Sequence, residues 1–161
     1  MKSTLTSAGL WFFIAAILYA VISGVLQDGP IRVSMDTDAS GSLILQRHRD
    51  GHFYVEARLN GQPATLLIDT GASTLAISEE LADAAGLTQC RPQQSHTANG
   101  VTNTCIASLD TLQIGPVTLQ KVQTSVLPRL SGPGLLGMNV LQHFRMEQDG
   151  ETLRLSLRKG S

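Results

Sequence analysis

Short strand-like runs joined by tight-turn dipeptides are the feature that most restricts how this chain can fold. Asn60-Gly61 separates the runs FYVEARL and PATLLI, and Asp149-Gly150 lies between RMEQ and TLRLSL. Both positions of such a two-residue loop require positive φ, which Asn, Asp and Gly adopt more readily than other residues. Each pair of runs is therefore predicted to form an antiparallel hairpin.

The remaining pattern predicts more strands and two short helices. Residues 104–114 and 117–127 are strand-like and are separated by a Gly-Pro pair. Residues 78–86 predict a helix, because a Ser cap precedes acidic residues and a Gly ends the segment. A second short helix is predicted over residues 138–144.

The composition favours a folded, mostly β domain. The chain has 15 Gly and only 4% aromatic residues, which suits many short elements, and its 42% hydrophobic content excludes a disordered chain. A net charge of -1 excludes the basic profile of a nucleic-acid binder. We therefore expect one domain over residues 43–157, a partly closed barrel or sandwich, with a tail at 158–161.

Residues 9–26 (GLWFFIAAILYAVISGVL) form an uncharged apolar segment. A membrane-spanning helix needs about 20 apolar residues, whereas the apolar part of a signal peptide has about 7 to 15. The length favours an uncleaved signal anchor, with a cleaved signal and a buried core helix as the alternatives. By the positive-inside rule, Lys2 places residues 1–8 in the cytoplasm and the bulk of the chain outside it. The polar residues 27–42 are predicted to be a linker.

The cysteines and histidines do not by themselves identify a functional site. Cys90 and Cys105 are either paired or free, since a two-residue turn at Asn99-Gly100 does not bring them opposite each other, and a disulfide then requires a longer loop or a bulge. His48 and His52 lack a third ligand for zinc. We expect no metal and no cofactor.

Asp69 is the candidate functional residue, because it directly follows the apolar strand residues in the run LLIDTGAS. A carboxylate at the end of a buried strand needs hydrogen bonds, and the backbone amides of Thr70, Gly71 and Ala72 can supply them. The alternative is a structural β-turn in which Asp69 bonds to its own following backbone, a common use of Asp-x-Gly. These four residues alone favour that structural turn.

The longer run resembles the active-site signature of the aspartic peptidases, in which apolar residues precede Asp-Thr-Gly and Ala72 and Ser73 follow. Leu135-Leu136-Gly137 and the residues after it look like the segment and short helix that pack beneath the active-site loop of retroviral-type peptidases. Thr97-Ala98-Asn99-Gly100 lies where that family carries its flap. With the N-terminal anchor, the chain resembles the bacterial membrane-anchored retropepsin-like (clan AA) aspartic proteases.

The resemblance implies a mostly β, single-lobed acid protease barrel and a homodimer. Peptide hydrolysis without metal needs one carboxylate to deprotonate water and another to donate a proton, yet the chain has one Asp-Thr-Gly. Asp69 would therefore face its symmetry mate and share a proton with it. Thr70 would steady the paired loops, Gly71 would lie against the substrate, and Ser73 would hydrogen-bond near the loop.

The resulting expectation is an aspartic endopeptidase anchored in the bacterial inner membrane, with its protease domain on the periplasmic side. Its flap, formed by Thr97, Ala98, Asn99 and Gly100, would close over an extended peptide or protein substrate. The first alternative is a non-catalytic peptide- or protein-binding module with the same fold. The second is an anchored β-domain whose Asp turn is only structural.

Overall fold

A computed structural model of the protein describes residues 13–19, 35–97 and 100–158. The chain divides into two units, Met1–Arg32 and Val33–Ser161. In the first unit, residues 13–19 form helix α1. Across the described ranges, no helix is long and apolar enough to cross a membrane. The rest of the predicted anchor over residues 9–26 lies outside the described residues, so the anchor stays a prediction.

The described residues of the second unit form eleven strands and two short helices, as the sequence pattern predicts for a mostly β domain. The helices are α2, Glu79–Ala84, and α3, Met138–Leu141. The strands are β1, Met35–Thr37; β2, Leu43–Gln46; β3, Tyr54–Leu59; β4, Gln62–Ile68; β5, Leu75–Ser78; β6, Arg91–Thr97; β7, Gly100–Ile114; β8, Val117–Leu127; β9, Gly134–Leu136; β10, Phe144–Asp149; and β11, Thr152–Leu157.

The strands form a small barrel and a separate antiparallel sheet. The larger sheet has the order β3-β4-β9-β5-β8-β7-β6, and an additional pairing of β3 with β7 closes six of its strands into a ring that leaves β6 outside. The four-stranded sheet has the order β1-β2-β11-β10. The core contains side chains from both sheets, among them Leu43, Val55, Leu66, Leu109 and Leu155.

Both predicted hairpins are confirmed. Leu59 pairs with Gln62 around Asn60 and Gly61, whose φ angles of 49° and 87° are those that a two-residue loop requires. Asn60 also accepts a hydrogen bond from the backbone N–H of Thr111, 2.9 Å away, and so joins the turn to β7. The second hairpin pairs Asp149 with Thr152, so its connecting residues are Gly150 and Glu151, one position later than the predicted Asp149-Gly150 turn.

The predicted linker over residues 27–42 differs from the structure at its C-terminal end, where residues 35–37 form β1. The cause is a tight turn at Asp38, whose carboxylate accepts hydrogen bonds from the Ser40 hydroxyl at 2.6 Å and the Ser42 N–H at 3.0 Å. These bonds lower the pKa of Asp38 to about 2. The turn reverses the direction of the chain, so that β1 pairs with β2. The polar composition that suggested a linker therefore belongs partly to a turn.

The connection between β6 and β7 begins one residue earlier than the predicted turn. Thr97 pairs with Gly100, so the two connecting residues are 98 and 99, which lie outside the described residues. The new register pairs Cys105 with Pro92 and brings Cys90 close enough for a disulfide, with 5.4 Å between the two Cα atoms. The structure therefore decides between paired and free cysteines in favour of the pair.

Candidate active site

Asp69 lies where the chain leaves β4 and enters the loop before β5. Its own N–H donates to the carbonyl oxygen of Leu136 at 3.1 Å, which fastens the strand end to β9. Its Oδ1 accepts a hydrogen bond of 2.8 Å from the N–H of Gly71. The carboxylate is half-buried. The loop therefore holds Asp69 in a fixed orientation while leaving it open to solvent on one side.

Helix α3 supports the active-site loop from below through backbone hydrogen bonds. The N–H of Met138 donates to the carbonyl of Ala72 at 2.8 Å, and the N–H of Asn139 donates to the carbonyl of Ser73 at 3.0 Å. N–H groups in the first turn of a helix have no partner inside the helix, so the loop carbonyls satisfy donors that would otherwise be unpaired. The helix start and the loop thus complete each other's hydrogen bonding.

Gly137 permits this close approach. A Cβ at this position would lie 2.4 Å from the carbonyl oxygen of Thr74 and 2.8 Å from that of Ala72, both of them backbone atoms. Leu136 is fully buried and pairs with Ile68, and Leu135 pairs with Leu67. The structure therefore brings the Leu135-Leu136-Gly137 segment directly under the Asp69 loop.

Asn139 is a supporting residue that the sequence analysis did not single out. Its side-chain oxygen accepts from the N–H of Leu75 at 2.8 Å, and its side-chain nitrogen donates to the carbonyl of Gln123 at 2.7 Å. One amide thus bridges α3, β5 and β8. Thr74 and Ser125 make a second missed link, with 2.7 Å between their hydroxyl oxygens. In the sequence, Asn139 is distinguished only by being the polar residue of the otherwise apolar run LLGMNVL.

The upper surface of the loop forms one side of a shallow depression of about 350 Å³. Thr70, Gly71 and Ser73 are exposed there, and Met138 is 38% exposed beside them. The lining contains no charged side chain and consists of Thr70, Gly71, Ala72, Ser73, Met138, Asn139 and Gln142. A flat, uncharged surface next to a single carboxylate is suited to contact with another polypeptide.

Two of the four predicted flap residues lie in the described part of the β6–β7 hairpin. Thr97 and Gly100 form the last backbone pair of this hairpin. Ala98 and Asn99 lie outside the described residues. The structure therefore places the arms of the predicted flap, but the flap function itself stays a prediction.

A polar cluster of His48, Asp50, His52 and Tyr54 lies at the same end of the β3–β4 hairpin as Asp69. The N–H of Ile68, the residue before Asp69, donates to the carbonyl of Phe53, the residue before Tyr54. The hydroxyl of Tyr54 donates to Asp50 Oδ2 at 2.6 Å, and the Nδ1 atoms of His48 and His52 lie 3.2 and 3.3 Å from Asp50 Oδ1. Within the ranges that the structure describes, no group of three His, Cys, Asp or Glu side chains could hold a metal ion.

The cluster has clear electrostatic consequences for two of its members. Burial opposes ionisation of Asp50, but hydrogen bonds from Tyr54 and the His52 N–H, together with the nearby His48 ring, outweigh it, so the pKa of Asp50 lies well below its usual range. Burial, together with the nearby carboxylate, raises the pKa of Tyr54 to about 12. Near neutral pH, the cluster therefore contains an ionised Asp50 carboxylate that accepts a hydrogen bond from the neutral Tyr54 hydroxyl.

The other Asp-Thr pairs of the sequence do not provide a second carboxylate at this loop. Asp36 belongs to β1 in the four-stranded sheet, and Asp110 forms an ion pair with Lys121 between β7 and β8. Among the described residues of these Asp-Thr pairs, Asp69 is therefore the one whose carboxylate lies at this loop.

Comparison with known proteins identifies the family. The model of the family "gag-polyprotein putative aspartyl protease" matches residues 55–143, more than half of the chain. In solved structures, a retropepsin-like aspartic protease from Rickettsia conorii matches with a TM-score of 0.64 and 32% sequence identity, covering 78% of this chain and 96% of that one.

Two curated relatives are uncharacterised bacterial proteins. One, encoded in the cobV 5′ region of a Sinorhizobium species, is 32% identical over 125 residues, which cover 74% of this chain and 54% of the relative. The other, from Rickettsia prowazekii (strain Madrid E), is 32% identical over 108 residues, which cover 65% of this chain and 46% of the relative. The chain thus spans about half the length of these relatives. From the family match and the shared fold, we conclude that the chain belongs to the gag-polyprotein type of aspartyl proteases, with a retropepsin-like fold.

Proposed function

We propose that the protein is an aspartic endopeptidase whose active site forms when two chains pair, each contributing Asp69. The observation that carries the proposal is the loop itself, which fixes one carboxylate and leaves Thr70 and Gly71 exposed beside it. The fold and family are those of proteases with this loop. The general acid–base reaction needs two carboxylates, and each chain supplies one. A symmetric dimer therefore follows from the proposal.

In the dimer, the two carboxylates share one proton because two negative charges at such close range repel each other. The ionised carboxylate takes a proton from water as the water oxygen bonds to the peptide carbonyl carbon, and the protonated carboxyl donates its proton to the carbonyl oxygen. As the C–N bond of the tetrahedral intermediate breaks, the carboxyl that took the proton from water donates it to the leaving amine nitrogen, and an intermediate hydroxyl returns its proton to the other carboxylate. The two Asp69 carboxylates, one from each chain, thus carry out all the proton transfers and return to their starting state.

The neighbours of Asp69 have positioning roles in this mechanism. The N–H of Gly71 holds Oδ1 at 2.8 Å, so the second carboxylate oxygen is directed to the water or to the partner chain. Ala72 and Ser73 hold the loop on α3 through their carbonyls. Thr70 is exposed at the loop and is assigned the contact with the partner's loop.

The substrate is proposed to be an extended peptide segment. It would lie across the paired loops and form main-chain hydrogen bonds with the β6–β7 hairpins, and its side chains would enter alternating pockets. The anchor over residues 9–26 would hold two copies in one bacterial inner membrane, with their catalytic domains in the periplasm. Tethering raises the effective concentration of a weakly dimerising domain.

The decisive experiment compares the full-length protein in detergent with its Asp69→Asn variant on a peptide library, with cleavage products identified by mass spectrometry. We expect no products from Asp69→Asn and inhibition of the wild type by a statine-type compound. Asp110→Asn is the matched control, because it makes the same chemical change at an exposed site on β7 and should retain activity.

Equal cleavage by wild type and Asp69→Asn would rule out the proposed mechanism. Peptide binding by both forms without any turnover would instead indicate the non-catalytic binding module. Membrane fractionation of cells expressing the full chain and a variant lacking residues 1–32 tests the anchor separately, and periplasmic reporter fusions test its orientation.

A further inference from the structure

The Cys90–Cys105 disulfide encloses the arms of the β6–β7 hairpin in one covalent ring. Cys90 immediately precedes β6, Cys105 lies within β7, and 15 positions separate them in the sequence. Cys105 also pairs with Val126 of β8 and packs partly against the core. The disulfide therefore fastens the start of an outer strand to a strand that belongs to the closed barrel.

Apart from the disulfide, the contacts described for strand β6 are few. It pairs only with β7 in the sheet order, and the side chains of residues 91–94 are exposed. Beyond the backbone ladder, the hydroxyl of Thr104 donates to the carbonyl of Gln93 at 3.1 Å. An isolated two-stranded hairpin is marginally stable in water, and β6 joins the sheet through β7 at its edge. The ordering of β6 thus depends strongly on the covalent link at its base.

The two sulfurs differ in their access to solvent. Cys90 is exposed, whereas Cys105 is half-buried. Thiol–disulfide exchange begins when a thiolate attacks an accessible sulfur, so a dithiol reagent can attack Cys90 and release the thiol of Cys105. The second thiol of the reagent then displaces Cys90. Two electrons and two protons pass to the protein as two thiols, and the dithiol becomes a disulfide.

We propose that the Cys90–Cys105 disulfide is a redox switch for the β6–β7 hairpin, opened by a dithiol reductant that attacks at Cys90. Reduction releases β6 from the barrel edge, while the Asp69 loop, which is held by α3 and β9, stays in place. The consequence for catalysis rests on the proposed function: the reduced enzyme binds extended peptide more weakly because the β6–β7 hairpin, to which the peptide main chain is proposed to hydrogen-bond, is disordered.

The test uses the full-length protein with and without dithiothreitol, followed by hydrogen–deuterium exchange and by alkylation of free thiols. On reduction, amides of β6 should exchange roughly ten- to hundredfold faster, while those of β3 and β4 change little. The double variant Cys90→Ala/Cys105→Ala should show the fast β6 exchange without reductant and should not respond to it. Re-oxidation of the wild type should restore slow exchange.

Peptide cleavage is measured on the same samples, where reduction should raise KM more than it lowers kcat. Slow β6 exchange in the fully alkylated, reduced protein would overturn the proposal. Failure to free two thiols with dithiothreitol in the folded protein would also overturn it. A protein that cleaves no peptide in either state but gains fast β6 exchange on reduction would retain the switch and refute only the proposed peptidase function.

Discussion

At the scale of single residues, the amide of Asn139 joins the end of the Asp69 loop to the rest of the barrel. Asp69 supplies the proposed chemistry, but its loop is joined to β5 and β8 through the side chain of Asn139. A half-buried amide that satisfies two backbone groups fixes them without adding charge near the carboxylate. The supporting residue can therefore be tested independently of the catalytic one.

We expect Asn139→Ala to lower the free energy of unfolding by about 2 kcal/mol, because the Leu75 N–H and the Gln123 carbonyl lose their partner. Asn139→Asp should also be destabilising, since a carboxylate oxygen would face the Gln123 carbonyl. Gln142→Ala is the control, because that exposed side chain bonds only within its own turn among the contacts described. Urea unfolding measures all three, and equal stabilities would contradict the assigned role.

The pKa of Tyr54, raised to about 12, gives a pH-dependent prediction. The folded-state pKa exceeds the ordinary value near 10, so the stabilisation is present below about pH 10 and is lost as pH rises through 12. Tyr54→Phe should cost about 1 kcal/mol at pH 7, a modest value because Asp50 is 40% exposed. In urea unfolding, the difference between wild type and variant should shrink between pH 10 and 12. A constant difference would be inconsistent with this assignment.

The same cluster has an acid limit set by Asp50. Its pKa lies below the ordinary value near 4, so its contribution is present above about pH 4 and is lost as pH falls further. Tyr54→Phe and wild type should therefore also approach each other in stability at the acid end. The cluster stabilises the β3 end best over the broad range between these limits.

The sequence predicted Asp69 and its loop because the motif is contiguous. Asn139, Thr74 and Ser125 were not predicted, because their contacts join positions 16 to 64 residues apart. Such contacts exist only once the barrel brings β5, β8 and α3 together. Asn139, a polar residue shortly after the Leu-Leu-Gly run, was the sequence feature that pointed to a supporting role. Without the fold, it did not indicate which groups the side chain would bind.

At the scale of elements, β9 is the strand that fixes the site. It lies between β4 and β5, parallel to the first and antiparallel to the second, and so carries Leu136 beneath Asp69. Gly134 fits there because a Cβ would meet Leu66 Cδ2 at 2.7 Å and the Ala76 carbonyl at 3.0 Å. The strand therefore depends on small residues at its two ends.

We expect Gly137→Ala to destabilise the domain by about 3 kcal/mol or more, since its Cβ would meet backbone atoms that cannot move away separately. Gly150→Ala is the matched control, because its Cβ would meet nothing within 4 Å and only its φ of 54° is unfavourable. That control should lose about 1 kcal/mol. Thermal or urea unfolding compares them, and similar losses would argue against tight packing at Gly137.

Local elements were predictable and non-local ones were not. The bounds of β8 and β11 match the predicted strands, and Ser78 caps α2 as expected, with its hydroxyl accepting from the N–H of Leu81. Turn residues and apolar alternation determine such elements within a few positions. The insertion of β9, the pairing of β1 with β2 and the register of β6 on β7 depend on distant partners, which the sequence pattern does not specify.

At the scale of the whole molecule, the proposed active site belongs to two chains, and this can be tested by mixing. Equal amounts of wild type and Asp69→Asn should exchange into random dimers, of which mixed dimers lack one carboxylate. Activity per wild-type chain should then fall to about one half, because half of the wild-type chains have an inactive partner. Peptide cleavage after equilibration measures this, with Asp110→Asn as the mixing control. Unchanged activity per wild-type chain would indicate that one chain suffices.

The exposed position of β6 also bears on which surfaces remain available for self-association. A free strand edge can recruit strands from other molecules, and natural proteins prevent this with proline and with charged or polar side chains. Strand β6 begins Arg-Pro-Gln-Gln, and Pro92 removes a backbone donor from it. If two chains pair at their Asp69 loops as proposed, an edge of this kind would disfavour additional strand pairing between dimers. We therefore expect the outermost strand of the larger sheet to limit open-ended assembly.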